Sequence, residues 1–419
     1  MNEIIRIRAP WKTIDGSVSL PISKSMANRI IMLKAYSGEL NHPPDDRDSG
    51  DTTLLKRNLQ KIAQQNDEGE PVRVDCGNAG TVFRFLLPFL AKRKGTWILT
   101  GEHRMLERPV GPLVSALNSL GADIEYLEEN GYPPLRMNGC PLSSGEVKVD
   151  TSISSQFVSA LLLLAPFLES GLSIKKTGEN VSGSYTSMTT SLLRSAGISV
   201  SVDGDITRVF PGIINTAMLK PEYDWSSASF WYAVVALSHH GTITLRGLTP
   251  PESSIQGDSS VAGIFRSLGV FTNNTDDGLV IRKSFSVPTI TRIRLNMRST
   301  PDLVLPVVTA IAGLGYGALI SGIDHLRYKE SDRIRALITE LRALNAYIDY
   351  AEKMLVVHPS DIRYLRPVNT YNDHRMAMAF APLALISRTL EVRDPGVVMK
   401  SYPEFWSMME ELGFEMIRI

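Results

Sequence analysis

LNSLGADIEY, residues 117–126, reads as the end of a helix that turns through Gly121 into a strand. Glycine suits such a corner, because it lacks the Cβ that makes a left-handed C-cap costly. The corner recurs as LRSAGISVSV from Leu193, FRSLGVF from Phe265, LRALNAYIDY from Leu341 and MEELGFEMIRI from Met409. The corner residues Gly121, Gly197, Gly269, Asn345 and Gly413 are spaced by 76, 72, 76 and 68 residues, so the chain repeats itself. After each of the first four come strand-like stretches. In ISVSVDGDITRVF, Asp203-Gly204 lies between alternating runs and reads as a hairpin turn. A sixth, earlier copy fits residues 53–76 with its glycine corner lost.

Each unit also carries a polar turn opening a second helix: SKSMANR from Ser23, GNAGTVFR from Gly77, SISSQF from Ser152, DWSSASFW from Asp224, RSTPD from Arg298 and NDHRMAM from Asn372. Between Lys24, Asn78, Ser154, Ser226, Asp302 and His374 the steps are 54, 76, 72, 76 and 72 residues, in phase with the corners. Six units of about seventy residues that mix helices with short strands predict α/β repeats grouped three and three into two similar domains. A single polar turn is an ordinary N-cap. Six in phase place helix N-termini, with their unsatisfied N–H groups, toward a common space in each domain.

Cations accompany these turns: Lys24, Arg29, Arg84 and Arg375, with Arg104, Arg108 and Lys400 nearby. Lys plus Arg and Asp plus Glu both total 44, so no overall charge draws the chain to nucleic acid or to an anionic membrane. Gathering these cations locally would focus a positive field on small ligands bearing phosphate or carboxylate groups, which Arg grips in bidentate fashion. Gly77 and Gly80 would let the backbone approach such an anion. Neither GxxxxGK[ST] nor a strand-anchored GxGxxG is present, which disfavours nucleotides. Cys76 and Cys140 offer neither metal-ligand spacing nor a disulfide framework and fit a reduced, cytoplasmic compartment. The opening MNEIIRIRAP reads as a strand rather than a targeting segment. Residues 303–320 are uncharged, yet Pro306 and three glycines divide them into a buried helix and a strand rather than a membrane span.

The densest charge run is LRYKESDR, residues 326–333. If a helix opens at Glu330 or Ser331, Glu330 and Arg333 share a face. Asp302, following Pro301 at the start of an apolar helix, is the other prominent carboxylate. Among cations it would stay ionised and could take a proton from a hydroxyl, with Glu330 serving the opposite half of the transfer.

LPISKSMANR, GNAGTVFR, LTGEHRMLERP, SSQF, Pro301-Asp302, LRYKESDR, NDHRMAM and Lys400 together resemble the ordered motifs of the EPSP synthase (3-phosphoshikimate 1-carboxyvinyltransferase) family, nearly end to end. The resemblance implies a two-domain inside-out α/β barrel, each domain built of three βαβαββ repeats. The domains would comprise residues 1–21 plus 223–419 and residues 22–222, with the active site in the cleft between them. It implies transfer of the enolpyruvyl group of phosphoenolpyruvate to the 5-hydroxyl of shikimate 3-phosphate, in the pathway to chorismate and the aromatic amino acids. No cofactor or metal is called for, and the enzyme would be a cytoplasmic monomer.

By motif position, Lys24, Ser25, Arg29, Ser154, Ser155, Gln156, Ser182, Asp302 and Lys329 would contact shikimate 3-phosphate. Phosphoenolpyruvate would meet Lys24, Asn78, Gly80, Arg108, Gln156, Arg333, Arg375 and Lys400. Tyr185 and His374 would be close neighbours. Asp302 would act as base, with Glu330 or Lys24 moving the proton at the methylene carbon. Gly183-Ser184 replaces the basic residue and Pro common before the tyrosine, Phe85 stands where Pro is common, and His325 where some relatives have Asn. Retained Gly80 implies sensitivity to glyphosate. Two other readings remain open on the residues alone: an enolpyruvyl transferase acting on UDP-N-acetylglucosamine, whose usual reactive-loop cysteine has no evident equivalent, and a non-catalytic anion-binding relative.

Overall fold

One four-stranded sheet design recurs through the computed structural model of the chain, which describes residues 3–10, 13–43, 45, 48–64, 70–284 and 293–419. In each copy the first two strands run parallel and the third and fourth add antiparallel. A parallel pair needs a long crossover, and a helix provides it each time. The chain divides into two units, one of residues 1–23, 222–327 and 331–419, the other of residues 24–221 and 328–330.

The unit of residues 24–221 has two such sheets. In the first, Val72–Asp75 and Gly95–Thr100 are parallel, followed by Leu135–Gly139 and Asp123–Tyr126. In the second, Gly145–Asp150 and Leu172–Thr177 are parallel, followed by Ile206–Val209 and Val200–Asp203. The hairpin pairs Asp203 with Ile206 and turns at Gly204, where φ is +54°, as the sequence predicts. The first crossover helices, Gly80–Lys92 and Gln156–Leu164, pack on each other and on Lys24–Tyr36 at the centre. Gly80–Lys92 buries 11 of its 13 residues and Gln156–Leu164 buries eight of nine, so these helices form the core and the sheets lie outside them.

The earliest copy is shorter than expected. Helix Gly50–Ala63 occupies much of residues 53–76, but Val72–Asp75 is the first strand of the next repeat. No hairpin follows Gly50–Ala63 among the described residues, which accounts for the short first step of 54 residues.

The other unit repeats the design with Thr13–Val18, His240–Arg246, Gly278–Lys283 and Val270–Thr275, and again with Ile293–Asn296, Ala318–Ser321, Met354–Val357 and Ile348–Ala351. Its third sheet is assembled from the two ends of the sequence: Ile4–Arg8 lies between Thr389–Arg393 and Glu415–Arg418, antiparallel to both, while Val368 bridges Val392 in parallel. Thus the opening strand fills the third-strand place of the last repeat. The central helices are Trp225–Leu237, Val304–Gly313 and His374–Phe380. The first and last of these are buried at every residue, and all three pack together. Trp231 stacks toward Phe405 with ring centroids 5.4 Å apart, and burial of each such large apolar side chain contributes roughly 1.5–3 kcal/mol.

Residues 303–320 do divide into helix Val304–Gly313 and strand Ala318–Ser321, and no helix among the described residues is long and apolar enough to cross a membrane. In each unit the sheets lie outside the buried central helices, the inside-out α/β arrangement that the sequence predicts.

Two details differ from the sequence expectation. Pairing of the two crossover segments continues to Ser23, whose N–H donates to the Glu222 carbonyl at 2.8 Å, while the Asp224 N–H donates to the Pro21 carbonyl at 2.9 Å. The helix in the charge run opens at Arg333 rather than at Glu330 or Ser331. Asp332 caps it by accepting from the Arg335 N–H at 3.1 Å, a role a short carboxylate fills better than glutamate. Glu330 therefore lies outside the helix and shares no helical face with Arg333.

Candidate functional site

In the unit of residues 24–221, the start of helix Gly80–Lys92 forms a cationic pocket floor. Arg84 and Arg108 are each 2% exposed, and both point at Gly80: a Cβ there would collide with Arg108 Nη2 and lie 2.5 Å from Arg84 Nη1. Arg84 donates to neutral oxygens, those of Gln156 Oε1 at 3.0 Å, the Pro109 carbonyl at 3.0 Å and the Gly80 carbonyl at 3.4 Å. Arg108 Nη1 donates to the Asn78 carbonyl at 3.1 Å and to Asn78 Oδ1 at 3.4 Å. Burial, and then the neighbouring Arg108, push the Arg84 guanidinium well below the usual arginine range. Two desolvated like charges at a helix N-terminus make a site that an anion would relieve.

Nearby elements add polar groups. Lys24 opens helix Lys24–Tyr36 and pairs with Asp51 at 3.0 Å. Gln156 opens Gln156–Leu164, and its N–H donates to Ser154 Oγ at 3.2 Å, while Ser155 is buried. Ser182 precedes helix Gly183–Ser195 in left-handed conformation, φ +56°, and its buried hydroxyl has no hydrogen-bond partner among the described residues. Such an unmet hydroxyl is what a bound polar ligand would satisfy.

Arg29 is placed differently from an open ligand contact. It is 1% exposed and donates to Thr189 Oγ1 at 2.7 Å, Ser159 Oγ at 3.1 Å, the Ser25 carbonyl at 2.7 Å and the Tyr185 carbonyl at 3.3 Å. Its guanidinium lies 5.2 Å from the centroid of the Phe85 ring and 5.9 Å from that of Tyr185, and burial lowers its pKa to about 10. It ties three helices together. Phe85 is thereby explained as a cation–π platform. In the same unit, the Lys329 carbonyl accepts from Arg104 at 3.2 Å and the Glu330 carbonyl accepts from Asn78 Nδ2 at 3.4 Å. The backbone is held there, leaving the side chains of Lys329 and Glu330 half-buried.

In the other unit, Asp302 is bracketed by two arginines. Its Oδ1 accepts from Arg333 Nη1 at 2.9 Å and its Oδ2 from Arg375 Nη2 at 2.9 Å. Arg333 also donates from Nε to Asp373 Oδ2 at 2.8 Å, and Asp373 caps helix His374–Phe380 through the Arg375 N–H at 3.0 Å. Ser331 Oγ donates to Asp373 at 3.1 Å. Lys400 Nζ donates to the Asn372 carbonyl at 2.8 Å and to Asn372 Oδ1 at 3.0 Å. His374 and His325 are buried.

The segment leading into Asp373 is anchored by a carboxylate that the sequence did not single out. Glu340, fully buried on helix Arg333–Ala343, accepts from Arg366 Nη1 at 2.8 Å and Nη2 at 3.2 Å, from the Asn369 N–H and Nδ2 at 3.2 Å, and from Tyr371 Oη at 2.6 Å. Burial, then the Glu340 hydrogen bond, raise the Tyr371 phenol to about 12. Tyr371 and Asn372 both hold positive φ, +53° and +54°, a conformation that costs non-glycine residues of order 1–3 kcal/mol each. Nothing in the TELR string distinguishes Glu340 from a solvated helical glutamate.

The structure therefore places Lys24, Ser25, Arg29, Asn78, Gly80, Arg108, Ser154, Ser155, Gln156, Ser182, Lys329 and Glu330 in one unit. Asp302, Arg333, Arg375 and Lys400 belong to the other. Arg84 joins the first cluster as strongly as Arg108 does, and its signal was the spacing of four residues from Gly80.

The family model described as EPSP synthase (3-phosphoshikimate 1-carboxyvinyltransferase) matches residues 9–409. The 3-phosphoshikimate 1-carboxyvinyltransferase of Bacteroides fragilis is 37% identical to this chain over 406 residues, covering 96% of each. That of Aliivibrio fischeri is 33% identical over 427 residues, covering 96% of this chain and 98% of its own. Among solved structures, an EPSP synthase from Acinetobacter baumannii matches 99% of this chain and 100% of its own with a TM-score of 0.72 at 20% identity, a likeness of fold.

Proposed function

The chain belongs to the EPSP synthase family, and from that membership we propose how its residues divide the family's reaction between them. It transfers the enolpyruvyl group of phosphoenolpyruvate to the 5-hydroxyl of shikimate 3-phosphate and releases phosphate, a step of aromatic amino acid biosynthesis. The observation that carries our assignment of residues is the convergence of two buried guanidinium groups, Arg84 and Arg108, on Gly80. That arrangement suits the phosphate or carboxylate of phosphoenolpyruvate, with Lys24, Asn78, Gln156, Arg333, Arg375 and Lys400 serving the same substrate. Lys24, Ser25, Arg29, Ser154, Ser155, Gln156, Ser182, Asp302 and Lys329 serve shikimate 3-phosphate. The reading requires residues of both units to act on one pair of substrates.

In the forward direction Asp302 takes the proton of the 5-hydroxyl as that oxygen bonds to C2 of phosphoenolpyruvate, and Glu330 or Lys24 gives a proton to C3. A tetrahedral intermediate results. Loss of a C3 proton then re-forms the double bond as the C2–O bond to phosphate breaks. The cations offset repulsion between two polyanionic substrates and hold the departing phosphate. We propose further that the enzyme acts in the cytoplasm, where Cys76 and Cys140, which form no disulfide, stay reduced, and that it acts as a monomer.

Phosphate release from phosphoenolpyruvate is expected only when shikimate 3-phosphate is also present, and should collapse in Lys24→Ala. Release without the acceptor, or with UDP-N-acetylglucosamine instead, would refute the assignment of the acceptor.

Gly80→Ala is expected to raise KM for phosphoenolpyruvate roughly tenfold, about 1.4 kcal/mol, by forcing Arg84 and Arg108 aside. KM for shikimate 3-phosphate should move less. The reading also makes glyphosate a competitor of phosphoenolpyruvate at this pocket, and full activity in saturating glyphosate would exclude that. An equal rise in both KM values would place Gly80 outside the phosphoenolpyruvate site.

A further inference from the structure

A cavity in the unit of residues 24–221 lies apart from every group assigned above. It has a volume of about 340 Å³, and Tyr36, Leu40, Phe89, Lys92, Arg93 and Phe167 are among its lining. That volume is within the range of small-molecule sites. The lining comes from the far ends of the three core helices. Tyr36 ends Lys24–Tyr36, Lys92 ends Gly80–Lys92 with Arg93 as its C-cap, and Phe167 closes the 3-10 turn Ala165–Phe167 that continues Gln156–Leu164. The same helices begin at Lys24, Gly80 and Gln156. Each of the first two has 13 residues, so roughly 20 Å of helix separates the cavity from the cationic floor.

Part of the lining is aromatic. Tyr36 stacks on Phe167, with ring centroids 5.0 Å apart and planes 16° from parallel, and meets Phe89 edge-on at 5.1 Å. Lys92 and Arg93 add two positive charges, and neither forms an ion pair with a described residue. No acidic residue is among the described residues of the lining, and the nearby Glu39 accepts from Thr216 Oγ1 at 2.9 Å. The backbone of Arg93 is fixed: its N–H donates to the Phe89 and Leu90 carbonyls at 3.1 Å, and its carbonyl accepts from Trp97 Nε1 at 3.0 Å. A cation in the last turn offsets the helix dipole, which accounts for Lys92 but not for three rings at a cavity. The Tyr36 hydroxyl is buried with no hydrogen-bond partner among the described residues, and burial keeps it protonated by raising its pKa well above the usual phenol range. It is a donor in want of an acceptor.

We propose that this cavity is a second binding site, for a small aromatic carboxylate whose ring packs on Tyr36, Phe89 and Phe167 and whose carboxylate is held by Lys92 and Arg93. A neutral aromatic compound would leave the cations unpaired, and an inorganic anion would leave the rings uncovered. The site goes beyond the transfer reaction and does not depend on the substrate assignments. Its occupant would touch the ends of all three helices whose starts carry assigned residues.

The test is calorimetric titration of the whole protein with 2-naphthoate, for which saturable binding of one equivalent is expected. 2-Naphthamide keeps the rings without the charge, and cyclohexanecarboxylate keeps the charge without an aromatic ring. Each should bind at least roughly tenfold more weakly, the scale of one charge-assisted contact. Lys92→Gln combined with Arg93→Gln should weaken 2-naphthoate by a similar factor, and Phe167→Leu severalfold. The two variants alter different parts of the lining and touch no assigned residue, so phosphate release should be unchanged in both, which also shows that they fold. Phosphoenolpyruvate or shikimate 3-phosphate, each added alone in excess, should leave the affinity within about twofold, as expected for sites far apart.

Absence of saturable binding, equal binding of the three probes, or undiminished binding in both variants would overturn the proposal. Displacement of 2-naphthoate by either substrate would overturn it too, by placing the probe among the cations of the substrate site.

Discussion

Asp302→Asn is expected to lower kcat by about a thousandfold, within the range for loss of a general base. Each carboxylate oxygen of Asp302 takes an N–H from a different arginine, Arg333 on one side and Arg375 on the other, both at 2.9 Å. These bonds fix the carboxylate and leave it anionic. An amide keeps the shape but cannot take the 5-hydroxyl proton, and it turns an N–H₂ group toward one guanidinium. Affinity for shikimate 3-phosphate should fall far less than kcat, because the proposed site gives that substrate several serines and Lys24 as well. The comparison needs kcat from phosphate release and the dissociation constant from calorimetry. A variant retaining a tenth of wild-type kcat would remove Asp302 from the role of base.

Glu340→Ala should lower the melting temperature by roughly 10 °C, from a loss of about 3–5 kcal/mol spread over a unit of a few hundred residues. Glu340 is fully buried and receives five hydrogen bonds, including both terminal nitrogens of Arg366 and the Tyr371 hydroxyl. Removing the carboxylate leaves those donors unmet and frees Tyr371 and Asn372 to leave their positive-φ conformations. Asp373, His374 and Arg375 follow directly, so kcat/KM should fall as well, with the larger change in KM for phosphoenolpyruvate. Thermal melts and steady-state kinetics check both effects. An unchanged melting temperature would show that the anchor is dispensable.

The repeat was legible because its corners need a backbone that few residues adopt. All five, Gly121, Gly197, Gly269, Asn345 and Gly413, take positive φ, between +68° and +92°. The in-phase polar turns were legible for a similar reason: each opens a helix buried nearly all round, so its polar start stands out against an apolar run. Pairings across long sequence distances were less visible. Glu340 carries no local mark, because what distinguishes it is burial against elements dozens of residues away. The helix opens at Arg333 rather than at Glu330 or Ser331 because the side chain of Asp332 supplies its cap. Arg29 was recognised as a cation of the right turn, but its burial against Thr189, Ser159 and the aromatic rings is set by neighbouring repeats.

The sheet that joins Ile4–Arg8 to Thr389–Arg393 and Glu415–Arg418 imposes an order on synthesis. Ile4–Arg8 is translated long before either of its partners. Residues 24–221 can close their own sheets during elongation, whereas Ile4–Arg8 must wait until residues 389–418 have been made. Through that interval its edges of unpaired N–H and C=O groups are open to other nascent chains. The burden on chaperones therefore falls on Ile4–Arg8, although the enzyme's chemistry lies elsewhere.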